Sequence, residues 1–291
     1  MTIDLVVAGK LAIDELSFEG TPYTPVLGGS AAHVAIAAAT LGSKVSLVST
    51  IGNDFPPIFL QMLESKGIDL SGVRQLPGRS AHFWADFTKN GKMNSYKLHF
   101  GVGNQLSLGS FSNRTKNAQA VHLGILPPHL QRALIKRVQG KNKLLSMTTI
   151  FHQAKALRNE IMLQIPFLDI LFLNSVEAML LTQLDNPKMA IEHLGELVPI
   201  VVVTIGSDGC LVNHQGKVKH VVGYHSNEVD VTGAGDSFAG AFLASYLQDN
   251  DIIQAAKWGN AAGAINVQGV GCTSLLKAKR NDLEQLVFST K

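Results

Sequence analysis

The chain is poor in several features that mark particular protein classes. It carries only two cysteines in 291 residues, Cys210 and Cys272, far apart and in no Cys-x-x-Cys pair or zinc-ligand spacing. That excludes a disulfide scaffold and a thiolate metal centre, and a reduced, cytoplasmic setting is expected. No basic run stands out, and 25 Lys and Arg against 22 Asp and Glu leave a formal charge of +3. Neither nucleic acid nor an anionic membrane is therefore expected as a partner. The start, Met1-Thr-Ile-Asp-Leu-Val-Val-Ala-Gly9, lacks the basic and long apolar regions of a signal peptide and reads as a buried strand. The longest apolar run, Ala31–Leu41, is too short to span a bilayer and is interrupted by His33 and Thr40. Repeats, low-complexity tails and Pro- or Ser-rich linkers are also missing.

What remains is ample apolar sequence, 46% of the residues against 16% charged, enough to build one large α/β domain over residues 1–291. Strand and helix signals alternate. Short β-rich runs occur at Ile3–Ala8, Lys44–Ile51, Val121–Leu126, Leu144–Met147, Ile170–Asn174 and Ile200–Ile205. Between them lie helical stretches: Gly29–Leu41, closed by Gly42; Pro56–Lys66, closed by Gly67; Pro128–Val138; and Pro187–Leu197. This alternation predicts βαβ units and a parallel sheet with helices on both faces. Two segments, about 10–27 and 78–105, break the rhythm. In the second, His82–Thr88 and Met93–Phe100 alternate about the turn Lys89-Asn-Gly-Lys92, which predicts a β-hairpin.

The most informative stretch is Asp230-Val-Thr-Gly-Ala-Gly-Asp-Ser-Phe238, which opens an apolar segment running to Leu247. Gly233, Ala234 and Gly235 allow a ligand close to the backbone. Their N–H groups fall where a helix begins, so they are expected to be unpaired and to favour an anion. Asp236 stands in the first turn as a carboxylate base. An anion hole beside a base suits transfer of a phosphoryl group to a hydroxyl.

Without a gap, these nine residues resemble the C-terminal motif of the PfkB/ribokinase family of carbohydrate and nucleoside kinases. Leu27-Gly-Gly-Ser-Ala-Ala-His-Val-Ala35, followed by Ile51-Gly-Asn-Asp-Phe55, is similar to its N-terminal motif. The resemblance runs from Asp14 to Gly271. It implies a ribokinase-like three-layer αβα fold with a mostly parallel central sheet and a small β-sheet lid formed by the two irregular segments, a plausible surface for a homodimer.

The resemblance also implies roles. Asp236 would be the general base, and Gly233, Ala234 and Gly235 the anion hole. Asp14, after the first strand, would accept hydrogen bonds from acceptor hydroxyls. Gly28, Gly29, His33 and Asn104 would complete the acceptor site. Asn174 and Glu177 match the family's Asn-x-x-Glu motif, with Asn174 facing ATP phosphates and Glu177 helping to hold Mg²⁺ through waters. Thr204, Gly206 and Gly209, from Thr204-Ile-Gly-Ser-Asp-Gly209, would line the nucleotide with Thr232 and Asn260. Asp230 is placed to ligate K⁺. The implied activity is ATP-dependent phosphorylation of a hydroxymethyl group on a small sugar or nucleoside.

Two departures bear on the acceptor. The family usually has Asn where His33 stands, and many of its sugar kinases carry an Asp where this chain has Thr148 and Thr149. A regulatory sugar or nucleoside binder would be expected to have lost the Gly233–Asp236 string, which is intact here. A nicotinamide dehydrogenase would need Gly-x-Gly-x-x-Gly after the first strand, which ends Gly9-Lys-Leu-Ala.

Overall fold

The structure is a computed structural model that describes residues 3–22, 24–88 and 93–289. Its order of elements follows from the apolar runs. Nine strands form the central sheet: β1 (Ile3–Ala8), β5 (Val45–Ile51), β6 (Asp69–Gln75), β9 (Ala118–Leu123), β10 (Leu144–Thr148), β11 (Ile170–Asn174), β12 (Ile200–Thr204), β13 (Gly209–His214) and β14 (Lys217–Val222). They lie in the order β14-β13-β12-β11-β10-β9-β1-β5-β6. The seven strands from β12 to β6 pair in parallel, and β13 and β14 close one edge antiparallel.

The parallel strands are covered on both faces, so they read as continuous apolar runs. One face packs on the helices Ser30–Thr40, Ala234–Asp249 and Ile252–Asn266. The other packs on Pro128–Val138, Ser175–Thr182 and Pro187–Gly195. Ser30–Thr40 is buried at almost every position, which its small residues allow. The result is the expected αβα sandwich.

A second sheet stands apart. Its strands are β2 (Ala12–Phe18), β3 (Thr21–Pro22), β4 (Val26–Gly28), β7 (Ala81–Phe87) and β8 (Met93–His99). The path is β3-β2-β7-β8, with β4 also on β2. Here β2 and β7 run parallel, and β7 and β8 form the expected antiparallel hairpin. The turn predicted at Lys89–Lys92 lies outside the described residues.

Several boundaries differ from the sequence reading. The run 121–126 is a strand only to Leu123, with its start moved back to Ala118; β10 extends through Thr148, and β12 stops at Thr204. The strand β6 and the helix Leu108–Thr115 were not anticipated. Both are rich in polar residues, and their apolar periodicity is correspondingly faint. Among the described residues no helix is long and apolar enough to cross a membrane.

Candidate active site

The parallel strands end at one edge of the sheet, where ligands bind in open α/β folds. A cavity of about 310 Å³ opens there. Its wall includes Asp14 and His33, Asn174 and Glu177, and Thr232 to Asp236, with Phe83 and Phe100 contributed from the lid side. A second cavity of about 140 Å³ shares Thr204, Val231, Ala234, Gly235 and Phe238 with it and continues to Gly206, Gly209 and Asn260. Residues that are far apart along the chain therefore line two joined compartments meeting at the Gly233–Asp236 turn.

Asp14 belongs to β2 and is 1% exposed, and its Oδ1 has no hydrogen-bond partner. Burial, and then the nearby Asp230 charge, pushes its carboxyl well above the usual range. Gly28, which pairs with Ala12 on the neighbouring strand, leaves room for that carboxylate. Gly28 is not itself a wall residue, while Gly29 is. Asn104 lines neither cavity; its Oδ1 is enclosed without a partner. The structure therefore gathers Asp14, Gly29 and His33 on one wall and leaves Asn104 behind it.

The helix Ala234–Asp249 starts at Gly233, whose φ of 73° is the left-handed region that favours glycine. The Gly233 and Gly235 N–H groups have no backbone acceptor among the described residues, whereas the Ala234 N–H turns back to the Val231 carbonyl at 3.3 Å. The expected trio of free N–H groups is thus a pair plus one long internal bond. Behind the turn, Asp230 accepts from Thr232 N at 2.9 Å through Oδ1 and from Gly271 N at 2.8 Å through Oδ2.

Asp236 faces the same cavity. Burial pushes its carboxyl up to about 7. The Thr148 hydroxyl beside it pulls the other way, without a formed hydrogen bond. Thr148 thus occupies the end of β10, where many sugar kinases of the resembled family carry an acid. Glu177 is 7% exposed, and its carboxyl is pushed up to about 8. Burial is the main cause; the Asn174 backbone bond opposes it, and the Asp236 charge adds to it. A capping box holds it in place: Asn174 N donates to Glu177 Oε2 at 3.1 Å, and Glu177 N donates to Asn174 Oδ1 at 2.9 Å.

Among the described residues no three His, Cys, Asp or Glu side chains group as metal ligands. Such a set does not build an all-protein cage. It does fit Mg²⁺, which keeps several waters and takes one or two carboxylates together with substrate phosphates. In the second compartment, Asn260 is tied to the end of β14, donating to the Val221 and Val222 carbonyls at 3.1 and 3.0 Å.

Sequence reasoning missed three groups at the site. On the lid, the Tyr96 hydroxyl meets His152 Nε2 at 3.0 Å, closing β8 onto the helix Phe151–Ala156. His82 joins the lid to the main domain, with Nδ1 2.8 Å from Glu15 Oε1 and Nε2 3.0 Å from Asp54 Oδ2. Asn266 lies under the Gly233 turn. Each of these contacts joins segments distant in the chain, so no local spacing announces it.

Residues 1–279 match the family described as pfkB family carbohydrate kinase. The chain belongs to that family. A cytidine kinase of Thermococcus kodakarensis is 32% identical over 262 residues, covering 88% of this chain and 93% of the relative. The nucleoside kinase of Methanocaldococcus jannaschii shares the fold with a TM-score of 0.83 at 20% identity, covering 99% of both chains. A double-mutant fructokinase from Vibrio cholerae O395, solved with fructose, ADP and a potassium ion, superposes with a TM-score of 0.85 at 21% identity, covering 98% of this chain and 99% of its own. This PfkB-family protein has the ribokinase fold and is an ATP-dependent sugar or nucleoside kinase.

Proposed function

We propose that this kinase moves the γ-phosphoryl group of ATP to a hydroxymethyl group of a small sugar or nucleoside. The observation that carries the reading is the placement of two carboxylates, buried Asp14 and half-buried Asp236, on one cavity beside the free N–H groups of Gly233 and Gly235.

In this reading Asp14 accepts hydrogen bonds from acceptor hydroxyls through its unpartnered oxygen, against the backbone of Gly28 and Gly29. Asn104, outside the cavity wall, supports that end from the helical turn that follows β8. Asp236 takes the proton of the attacking hydroxyl. The hydroxyl oxygen bonds to the γ-phosphorus as the bond to the bridging oxygen of ADP breaks, and ADP departs with that electron pair. Gly233 and Gly235, with Ala234 between them, place N–H dipoles and the helix N-terminus against the charge on the transferred group. ATP would lie along the second compartment, with Thr204, Gly206, Gly209 and Asn260 at its base end and Thr232 and Asn174 toward its phosphates. Glu177 would hold Mg²⁺ through water, and when bound the ion neutralises phosphate charge.

Asp230 keeps a second lone pair on each oxygen, which leaves it able to ligate K⁺. The names of the relatives support both acceptor classes, a nucleoside and a sugar. The proposal extends to a cytoplasmic homodimer paired through the lid sheet, to be checked by its mass in solution.

The test is ADP formation from Mg·ATP against a panel of sugars and nucleosides, with Asp236→Asn beside the wild type. One acceptor that stimulates turnover in the wild type alone supports the reading. ATP binding with no stimulation by any acceptor would sink it in favour of a binder that retains the motif.

A further inference from the structure

His33 stands where the family usually has Asn, and the structure gives it an unusual set of neighbours. It lies in the helix Ser30–Thr40 and is 1% exposed. Its Nδ1 is 3.0 Å from Asn266 Oδ1. The orientation of that amide is fixed independently, because Asn266 Nδ2 donates to the Thr232 carbonyl at 2.8 Å. Asn266 Oδ1 is therefore the acceptor, and it also receives the Ser237 hydroxyl at 3.1 Å. It follows that His33 Nδ1 carries a proton and donates it. Burial lowers the pKa of the ring, which keeps the imidazole neutral and Nε2 a bare acceptor. That Nε2 is enclosed with no partner.

The ring does more than hydrogen-bond. A Cβ added at Gly233 would stand 2.3 Å from each of His33 Cε1, Nδ1 and Nε2. Equal distance to three ring atoms means that the flat face of the imidazole lies against the Gly233 Cα. The turn is thus seated on a plane. Thr232 is held through its carbonyl, Gly233 by the ring face and Ser237 through its hydroxyl, all by the pair His33 and Asn266. Asp230 secures the same turn from its other side through Thr232 N.

We propose that His33 is a positioning residue for the anion hole, acting through Asn266 and the Gly233 backbone, and that it does not bind the acceptor. The ring borders the cavity, but its donor nitrogen is committed, its face is covered by Gly233, and its remaining nitrogen is enclosed without a partner. The Asn of other family members has become, in this chain, a foundation for the Gly233–Asp236 turn. This inference rests on the phosphotransferase reading for its kinetic consequence but not for its geometry.

The test uses two substitutions that separate the two contacts. His33→Asn keeps an amide donor and removes the ring face; His33→Phe keeps a ring and removes the donor. Circular dichroism and melting temperature establish that each variant folds. Misplacing a catalytic group by about 1 Å costs on the order of 10²-fold. Both variants are therefore expected to lose kcat by about 10- to 100-fold, with the acceptor KM within about threefold of wild type. Calorimetry with Mg·β,γ-imido-ATP and Mg·ADP gives a readout free of turnover. The imido analogue, which carries a γ-phosphate, should bind at least about tenfold more weakly to both variants, and ADP should be little affected. His33→Ala and Asn266→Ala should be non-additive, because each breaks the same network.

The opposite pattern overturns the inference: an acceptor KM raised tenfold or more, with kcat and imido-ATP affinity unchanged. Unchanged kinetics and affinities in both variants would overturn it as well. If the wild type forms no ADP with any acceptor, the phosphotransferase reading fails, and the imido-ATP and ADP affinities still decide the role of His33.

Discussion

Gly28 stands directly against the Asp14 carboxylate: a Cβ at position 28 would lie 1.9 Å from Asp14 Oδ2. The two residues come from adjacent antiparallel strands of the lid, β2 and β4, and the missing side chain of one makes the space for the other. Gly28→Ala must therefore push the carboxylate away or spread the strands. Asp14→Asn keeps the shape and weakens the acceptor. Hydrogen bonds to charged groups are worth about 1.5–3 kcal/mol. Both variants should raise the acceptor KM by about 10- to 100-fold while leaving the ATP KM nearly unchanged. Initial rates with each substrate varied in turn provide the check, and a rise confined to the ATP KM would contradict the assignment.

Asp236→Asn should lower kcat by about 10²–10⁴-fold, the usual contribution of a general base. The residue must be ionised to take a proton. With its carboxyl pushed up to about 7, kcat/KM of the wild type should rise with pH through that region. The Asn variant should lack this limb. Rates measured from pH 5.5 to 8.5 for both proteins would reveal a limb that survives the substitution, an outcome incompatible with Asp236 as the base.

Burial of the Glu177 carboxyl carries a cost in stability. Its folded carboxyl is raised to about 8 from 4.5. Below about 4.5 it is protonated in both states, and no penalty exists. As pH rises, the unfolded chain ionises first, and the penalty grows until it is complete above about 8. Glu177→Gln retains the capping box and removes the buried charge. The metal-free variant should therefore be more stable than wild type by on the order of 2–4 kcal/mol at pH 8, with little difference at pH 4.5. Urea melts at the two pH values test this, and Mg·ATP should favour the wild type instead.

The lid contact is a smaller effect. Tyr96→Phe removes the hydroxyl that reaches His152 Nε2 at 3.0 Å. A single exposed hydrogen bond contributes about 0.5–1.5 kcal/mol. The acceptor KM should rise by about two- to tenfold, with the melting temperature hardly altered. A large loss of melting temperature would show the contact to be part of the fold instead of a lid closure.

Much of this molecule could be read along the chain. The alternation of apolar runs with helical stretches announced the αβα layers, because strand and helix periods are local properties. The two irregular segments announced a separate small sheet, and the strings at Asn174 and Gly233 announced where helices would begin, because glycines and helix caps act on their immediate neighbours. Partnerships across the fold were not legible. His33 meets Asn266 233 positions away, and Thr148 comes to lie beside Asp236, through the packing of helices and strands whose facing residues no local pattern names. The same holds for the turn of the Ala234 N–H back to Val231. Burial did the rest: the raised carboxyls of Asp14, Glu177 and Asp236 come chiefly from the loss of water around them, a condition that arises once the layers close.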